Sequence, residues 1–244
     1  MVNLNALLIA GTDTEVGKTV VTSALLAYYR HYFPQRSLGL LKPIQSGVGD
    51  GELYQRLFFP HLAISDLVPQ AFAAPLAPPL AAALENRQVD LNRVWQTLGS
   101  LCQAHDSVLV EGLGGLGSPV TADLTLAALA GLWRLPVVLV VAVKLGAIAQ
   151  AVANGALARQ ERLNLRGIIL NCHQPCTDQE VEKWAPASLI SRLTQVPVLG
   201  VLPYLEDATS PAALAEAARG LMLDPLDSVD SFSPGLGKLT HGSS

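Results

Sequence analysis

The stretch Gly11-Thr-Asp-Thr-Glu-Val-Gly-Lys-Thr19 follows an apolar run at residues 6–10 and precedes a segment with a helical pattern. A strand that leads into a helix through Gly-Lys-Thr directs several backbone N–H groups and a helix N-terminus at one point, which attracts the phosphates of a nucleotide. In a loop of this kind Lys18 reaches the β- and γ-phosphates, and the Thr19 hydroxyl holds magnesium. The stretch therefore predicts a phosphate-binding loop.

The composition narrows the classes of partner. Half of the 244 residues are apolar and 15% are charged, with a formal net charge of −4 and with Lys and Arg scattered along the chain. This pattern predicts no basic patch for nucleic acid. The longest apolar run, residues 136–143, is far shorter than the ~20 residues of a membrane span, and residues 1–5 lack the basic region of a signal peptide. We therefore expect a soluble, cytoplasmic protein that binds neither nucleic acid nor membranes.

The cysteines do not predict a disulfide framework, because three is an odd number. The segment Cys172-His-Gln-Pro-Cys176 offers at most three local ligands, and no second pair at zinc-like spacing accompanies it. We interpret this segment as an ordinary loop rather than a metal site.

Apolar, β-branched runs alternate with helical patterns, which is typical of a parallel sheet covered on both faces. The predicted strands are residues 6–10, 38–42, 107–111, 136–143, 167–171 and 198–202. The predicted helices are residues 91–102 behind an Asp90 cap, 146–163 and 188–195. The predicted fold class is α/β, a mostly parallel sheet flanked by helices on both faces, of the P-loop nucleoside triphosphate hydrolase type.

The length suits one domain, which we place at residues 1–223. Residues 71–79 hold three prolines and are predicted to form a surface loop. After Leu223 the chain is rich in Asp, Ser, Gly and Pro, so residues 224–244 are predicted to form a poorly ordered tail.

Polar residues follow the predicted strands at the edge where open parallel sheets bind their ligands. Glu111 is either a magnesium ligand or a charge that leaves the sheet for solvent. Asp50 offers a second oxygen, although Asp beside Gly is also ordinary turn chemistry. Lys42 is either a solvated surface lysine or a positive charge beside Lys18, with Ser46 as a neutral donor to the same anion. The residues favour phosphoryl transfer by positioning and charge neutralisation, without a protein nucleophile.

Four motifs together resemble the dethiobiotin synthetase family. They are Gly-Thr-Asp-Thr-Glu-Val-Gly-Lys-Thr at 11–19, Lys-Pro-Ile-Gln-Ser-Gly at 42–47, Val-Glu-Gly-Leu-Gly-Gly at 110–115 and Val-Lys-Leu-Gly at 143–146. The likeness runs from about residue 6 to Tyr204, in the family's order and with similar spacing. Five residues rather than four separate Gly11 from Gly17, and this extra residue is itself usual in the family. The resemblance implies an ATP- and magnesium-dependent ligase that joins diaminopelargonate and carbon dioxide in the ureido ring of dethiobiotin, through a carbamate and a carbamic-phosphoric anhydride, in biotin biosynthesis.

The resemblance also implies roles for the residues that match the family's motifs. Lys18 and Lys42 would be catalytic, because they would neutralise the γ-phosphate and the carbamate. The implied magnesium ligands are Thr19, Asp50 and Glu111. The implied substrate contacts are Ser46, Thr14, Lys144, Leu145 and Gly146. The implied ATP contacts are Glu15, Val16, Gly17, Lys18, Thr19, Val20, Asp50, Glu111, Gly112, Leu113, Gly114, Asn171, Pro203, Tyr204 and Leu205.

The family is typically a homodimer with its substrate near the subunit interface, which implies a partner-facing role for residues 144–146. Three departures from the family's pattern affect these finer expectations. Asp50-Gly51 stands where Asp-Ala is common, Ala77-Pro78-Pro79 replaces a commoner Ser-Pro-His, and Cys172 occupies a position that is frequently acidic.

A nucleotide-driven switch of the partitioning or division-site kind is the alternative function, because its fold and phosphate loop are related. Those proteins carry an additional lysine near the start of the loop, at the position that Asp13 occupies in this chain. They also often end in a basic amphipathic helix, whereas Asp224, Asp227 and Asp230 make this tail acidic. The ligase is therefore the function that we predict.

Overall fold

The structure, a computed structural model, describes residues 4–223. The strands of this part of the chain are β1 (Ala6–Gly11), β2 (Leu38–Leu41), β3 (Ile44–Ser46), β4 (Gln70–Phe72), β5 (Ser107–Gly115), β6 (Pro136–Ala142), β7 (Asn164–Asn171) and β8 (Val198–Leu202). Its helices are α1 (Lys18–Tyr32), α2 (Asp50–Phe58), α3 (Ile64–Leu67), α4 (Pro78–Leu84), α5 (Leu91–Ala104), α6 (Leu126–Leu132), α7 (Ala147–Gln160), α8 (Asp178–Trp184), α9 (Ala187–Thr194) and α10 (Pro211–Ala218).

A parallel sheet of six strands, in the order β2-β5-β1-β6-β7-β8, forms the centre of the protein. β1 pairs with both β5 and β6, so the strand that leads into the phosphate loop lies in the middle. β3 and β4 form a separate pair beside the main sheet. Because the six strands run in one direction, their carboxyl ends meet at one edge, where the predicted site residues collect.

Helices cover both faces of the sheet, as alternate side chains of β1 demonstrate. Leu8 belongs to a core cluster that includes side chains of α5, α6, α7 and α9. Leu7 and Ile9 point to the opposite face and belong to a second cluster with side chains of α1, α2 and α10. Successive residues of a strand point to opposite faces, so a strand that is apolar throughout needs such two-sided cover. The predicted fold class is confirmed.

All six predicted strands are present, but a bound of five of them was wrong. β1 ends one residue later than predicted, at Gly11. β2 ends at Leu41 because the backbone N–H of Lys42 donates to the Leu67 carbonyl instead of extending the ladder. β5 continues past Glu111 to Gly115, whose partner in β1 is Gly11. β6 ends one residue early, at Ala142, and β7 begins three residues early, at Asn164, because it pairs with Pro136 at the start of β6.

The predicted helices are confirmed with shifted ends. The Asp90 side chain caps α5 by accepting from the Arg93 N–H at 3.0 Å. Gly146 is the left-handed N-cap of α7 rather than part of the helix, and α7 ends at Gln160 just before Arg162, which has a positive φ of 55°. α9 lies one residue earlier than predicted, because Gln195 is its left-handed C-cap.

The predicted surface loop at residues 71–79 is only partly a loop. Its first two residues continue β4, which pairs with β3, and its last two prolines begin α4, where a proline at the first helical position loses no hydrogen bond. The predicted tail lies outside the described residues, and the domain bounds remain a prediction. None of the helices between residues 4 and 223 is long and apolar enough to cross a membrane.

Candidate active site

The phosphate loop is held in shape by the tip of β7. Gly17, the N-cap of α1, has a φ of 87°, in the left-handed region that suits glycine. A Cβ at this position would collide with the side-chain amide of Asn171. That amide donates to the Val16 carbonyl at 3.0 Å, so Asn171 supports the loop from beneath. The stretch thus forms the predicted phosphate-binding loop, and the buried side chain of Asn171 holds its backbone in place.

Lys18 lies across the loop and donates to the Asp13 carbonyl at 3.0 Å. Its side chain is largely buried, and burial lowers the pKa of its ammonium below the usual range; the Glu111 carboxylate offsets only part of this. A buried ammonium of this kind is stabilised by an anion. The position and the charge of Lys18 suit the phosphates expected at this loop.

Lys42 connects two carboxylates at the end of the sheet. Its Nζ atom lies 2.6 Å from Oδ2 of Asp50 and 2.6 Å from Oε1 of Glu111. Burial by itself lowers the pKa of Lys42, but Glu111 and Asp50 outweigh that effect and raise it. Burial likewise raises the pKa of Asp50, and the Lys42 ammonium reverses the shift to a net lowering. Lys42 is therefore a charged, 4% exposed residue of the site and not a solvated surface lysine.

The Thr19 hydroxyl completes this cluster. It lies 3.0 Å from Oδ1 of Asp50 and 3.2 Å from Oε1 of Glu111. Glu111 is fully buried, so it does not leave the sheet for solvent. A hydroxyl and two carboxylates are hard oxygen donors of the kind that magnesium prefers, and they converge beside the phosphate loop. The donor set fits the predicted ion.

Asp50 occupies the first position of α2, where a carboxylate interacts favourably with the helix dipole. Gly51 follows it and packs closely: a Cβ there would lie 2.5 Å from Cγ2 of Val68 and 3.1 Å from Oε1 of Gln45. Gln45 also accepts from the Gly51 N–H at 2.8 Å. The departure to Asp-Gly therefore suits the local packing of α2 and leaves Asp50 directed at the cluster.

Tyr54 is a residue of the site that the sequence analysis missed. It is fully buried, and its hydroxyl donates to Oε2 of Glu111. Burial raises the pKa of Tyr54 well above its ordinary value, and Glu111 raises it further, so the phenol stays protonated. Tyr54 is four residues after Asp50 and thus on the same face of α2, a spacing that would have pointed to it had α2 been predicted.

A cavity of about 750 Å³ opens above these residues. From the phosphate loop and α1 it is lined by Thr14, Glu15, Gly17, Lys18, Thr19 and Val20. From the other loops it is lined by Lys42, Ile44, Gln45, Ser46, Val48, Asp50, Pro75, Leu76, Ala77, Pro78, Glu111, Leu113, Gly114, Ser118 and Pro119. The Ser46 hydroxyl is buried and has no hydrogen-bond partner among the described residues. It is therefore available to a ligand in the cavity.

Several predicted site residues lie outside this cavity. Val16 and Asn171 are buried behind the phosphate loop, and Gly112 faces the apolar core. Residues 144–146 form the turn before α7, where the Leu145 side chain is 86% exposed. Residues 203–205 follow β8, and Tyr204 is 43% exposed. These segments are at the same edge of the sheet, but the contacts predicted for them remain predictions.

The Cys172–Cys176 segment has no metal-binding arrangement. Between residues 4 and 223, no group of three or more His, Cys, Asp or Glu side chains is placed to hold a metal ion. Burial raises the pKa of the Cys172 thiol to about 12, so at neutral pH it remains protonated.

The comparison with known sequences identifies the family. Residues 5–212 match a family model described as an AAA domain. The chain is 55% identical over 221 residues to the ATP-dependent dethiobiotin synthetase BioD of Gloeothece citriformis (strain PCC 7424), covering 91% of this chain and 98% of that protein. It is 34% identical over 212 residues to the ATP-dependent dethiobiotin synthetase BioD of Bacillus subtilis (strain 168), covering 84% and 90%. The chain belongs to the dethiobiotin synthetase family.

This result confirms the family that the four sequence motifs predicted. Solved structures of lower identity share the fold. They include the MinC:MinD cell division protein complex of Aquifex aeolicus, with 16% identity, a TM-score of 0.58 and 95% of this chain and 97% of that chain covered. A ParA family ATPase from Chlorobium tepidum TLS has 14% identity, a TM-score of 0.53 and coverage of 92% and 96%. At such identities the likeness concerns the fold alone, so it does not favour the switch function.

Proposed function

We propose that the protein is an ATP-dependent cyclo-ligase that converts diaminopelargonate and carbon dioxide to dethiobiotin, in the cytoplasm and without a nucleic-acid or membrane partner. The observation that carries the proposal is the burial of Lys42 between Asp50 and Glu111, next to Lys18 in the phosphate loop. A phosphate loop alone supports many reactions, whereas a second lysine suits a second anion. The dethiobiotin synthetase relatives support the same reaction.

The proposed reaction produces anions at each stage. One amine of the diamine adds to carbon dioxide and loses a proton, which gives a carbamate. A carbamate oxygen attacks the γ-phosphorus of ATP, and ADP leaves as the mixed anhydride forms. The second amine then attacks the anhydride carbonyl, closes the ring and displaces phosphate. Lys18 and Lys42 supply positive charge where these anions meet, and fixed charges are most effective in a site that excludes water.

The other cavity residues have positioning roles in this proposal. Thr19, Asp50 and Glu111 would hold magnesium, which when bound neutralises phosphate oxygens during transfer. Ser46 and Thr14 would donate hydrogen bonds to the substrate, as the unpartnered Ser46 hydroxyl supports. We also propose that the edge containing Asn171 and residues 203–205 receives the base of ATP.

We further propose a homodimer whose interface lies near the mouth of the cavity. Leu76, Leu80 and Leu84 are 45%, 60% and 68% exposed and are spaced four residues apart, which places Leu80 and Leu84 on one face of α4. Val48, which lines the cavity, is 91% exposed. Neighbouring exposed apolar side chains support an interface.

Sedimentation velocity tests the proposed dimer. We expect the wild type to sediment as a dimer, Leu80→Glu to weaken the dimer, and the control Leu132→Glu, on α6, to leave it unchanged. A monomeric wild type would contradict this proposal.

The test of the ligase is phosphate release from ATP and magnesium, with and without diaminopelargonate and bicarbonate, together with mass spectrometry of the product. We expect phosphate release to depend on the diamine and to match the amount of cyclic urea. Phosphate release that is indifferent to the diamine, with no urea, would refute the ligase and leave the fold to another reaction.

A further inference from the structure

The two oxygens of the Glu111 carboxylate have separate partners. Oε1 accepts from Lys42 at 2.6 Å and from Thr19 at 3.2 Å, so it faces the phosphate loop. Oε2 accepts from the Tyr54 hydroxyl on the opposite side. A fully buried carboxylate requires hydrogen-bond donors, and a missing donor leaves a costly unsatisfied oxygen. The Tyr54 hydroxyl therefore satisfies Oε2, while Lys42 and Thr19 satisfy Oε1.

Tyr54 itself has no access to a ligand. Its side chain is fully buried and packs in the core cluster between the sheet and the helices α1, α2 and α10. It does not line the cavity, whereas Glu111 does. Glu111 is thus the cavity residue to which the Tyr54 hydroxyl donates.

Tyr54 also links two of the magnesium ligands that we assign. It belongs to α2, the helix that begins at Asp50, and the spacing of four residues places both side chains on the helix face directed at Glu111. One hydrogen bond thus holds the Glu111 carboxylate against the element that carries Asp50. Outer partners of metal ligands commonly act in this way, by fixing the orientation of a ligand before the ion binds.

We propose that Tyr54 is a positioning residue that turns the Glu111 carboxylate toward Thr19 and so sets the magnesium dependence of nucleotide binding. This inference rests on the proposed function, because it takes Thr19, Asp50 and Glu111 as the magnesium ligands. Nucleotide binding with and without magnesium can be measured in the absence of turnover.

The test is the affinity for the β,γ-imido analogue of ATP, measured by calorimetry in excess EDTA and in excess magnesium. Tyr54→Phe retains the ring and removes one oxygen. We expect it to reduce the gain in affinity from magnesium by about tenfold or more, with less than a twofold change in the affinity in EDTA. Tyr29→Phe is the matched control, because Tyr29 is another buried tyrosine of the same core cluster and should keep the full gain. Tyr54→Met is a second variant, since a flexible thioether adapts to an irregular site.

A double-mutant cycle separates positioning from packing. If Tyr54 acts through Glu111, then Tyr54→Phe should cause no further loss of the magnesium effect in a Glu111→Gln background. An unchanged magnesium effect in folded Tyr54→Phe and Tyr54→Met would overturn the inference, as would an equal loss of affinity with and without magnesium. A wild type that binds the analogue with a magnesium gain yet forms no urea would refute the ligase while leaving the role of Tyr54 intact.

Discussion

Nζ of Lys42 lies 2.6 Å from Oε1 of Glu111, and both side chains are buried. β2 and β5 are adjacent and pair Leu41 with Val110, so the residues that follow these partners meet at the end of the sheet. Water cannot solvate a buried ion pair, so removing one partner leaves the charge of the other uncompensated. This relationship makes Lys42 important for chemistry and for stability at once.

Lys42→Ala should abolish urea formation while retaining nucleotide binding. Loss of the charge near the reacting anions should lower kcat by about a hundredfold or more, whereas nucleotide affinity depends chiefly on the phosphate loop. The unpaired Glu111 should reduce the free energy of unfolding by about 3 kcal/mol or more. Urea yield, calorimetry and denaturant unfolding measure the three effects. Lys183→Ala, at an exposed lysine of α8, is the control; an equal loss of nucleotide binding and product would assign Lys42 a structural role only.

Glu111→Gln should increase the magnesium requirement of the reaction. The amide retains the shape of the side chain but loses its charge, so it is a weaker ligand for a hard cation. We expect the magnesium concentration for half-maximal activity to rise by about tenfold or more. Mutation of a residue that only supports a metal ligand already lowers metal affinity by about tenfold or more. Glu182→Gln, on the exposed surface of α8, should leave the titration unchanged. If the two titrations coincide, Glu111 is not a magnesium ligand.

Gly17→Ala should disrupt the phosphate loop. The left-handed φ of 87° costs an alanine about 1–3 kcal/mol, and the new methyl group would collide with Asn171, which holds the Val16 carbonyl. Stability and nucleotide affinity should therefore fall together, as measured by denaturant unfolding and calorimetry. Gly99→Ala is an informative control, because a Cβ there meets nothing within 4 Å in the middle of α5. That change should stabilise the protein by about 0.5–1 kcal/mol; a comparable effect of both variants would contradict the special role of Gly17.

The sequence could predict the part of the site that is local. The phosphate loop occupies consecutive residues between a strand and a helix, so its pattern is sufficient to place Lys18 and Thr19. Glu111 and Lys42 could be placed because each directly follows an apolar run whose direction in the sheet is implied by the fold. The family resemblance added Asp50, which pattern alone left open between a ligand and a turn residue.

The parts that could not be predicted depend on contacts between distant segments. Tyr54 was missed because α2 begins directly after a glycine-rich loop, and nothing nearby indicates that its hydroxyl meets Glu111, 57 residues later. The extension of β5 was missed because glycines usually weaken strands, yet Gly115 pairs with Gly11 of the central strand. The pair formed by β3 and β4 was missed because each strand is only three residues long.

The His105 side chain should make stability depend on pH. It lies at the end of α5, where its Nδ1 is 2.6 Å from the Ser37 hydroxyl and its ring packs over Gly39. Burial lowers the pKa of His105 below its ordinary value of 6.5; Arg30 lowers it further, and Asp106 opposes the shift.

Because the folded pKa of His105 is below the unfolded pKa, the unfolded chain binds more protons between the two values. The contribution of neutral His105 is therefore complete above about pH 6.5 and is lost as the pH falls through the folded pKa. Urea unfolding at pH 7.5 and 5.5 should reveal a smaller difference in midpoint for His105→Gln than for the wild type. His61→Gln, at an exposed histidine, is the control and should retain the wild-type difference. The carboxylates are the same in all three proteins, so their contribution to the pH dependence cancels in the comparison. Equal differences in the wild type and His105→Gln would mean that protonation of this ring does not couple to folding.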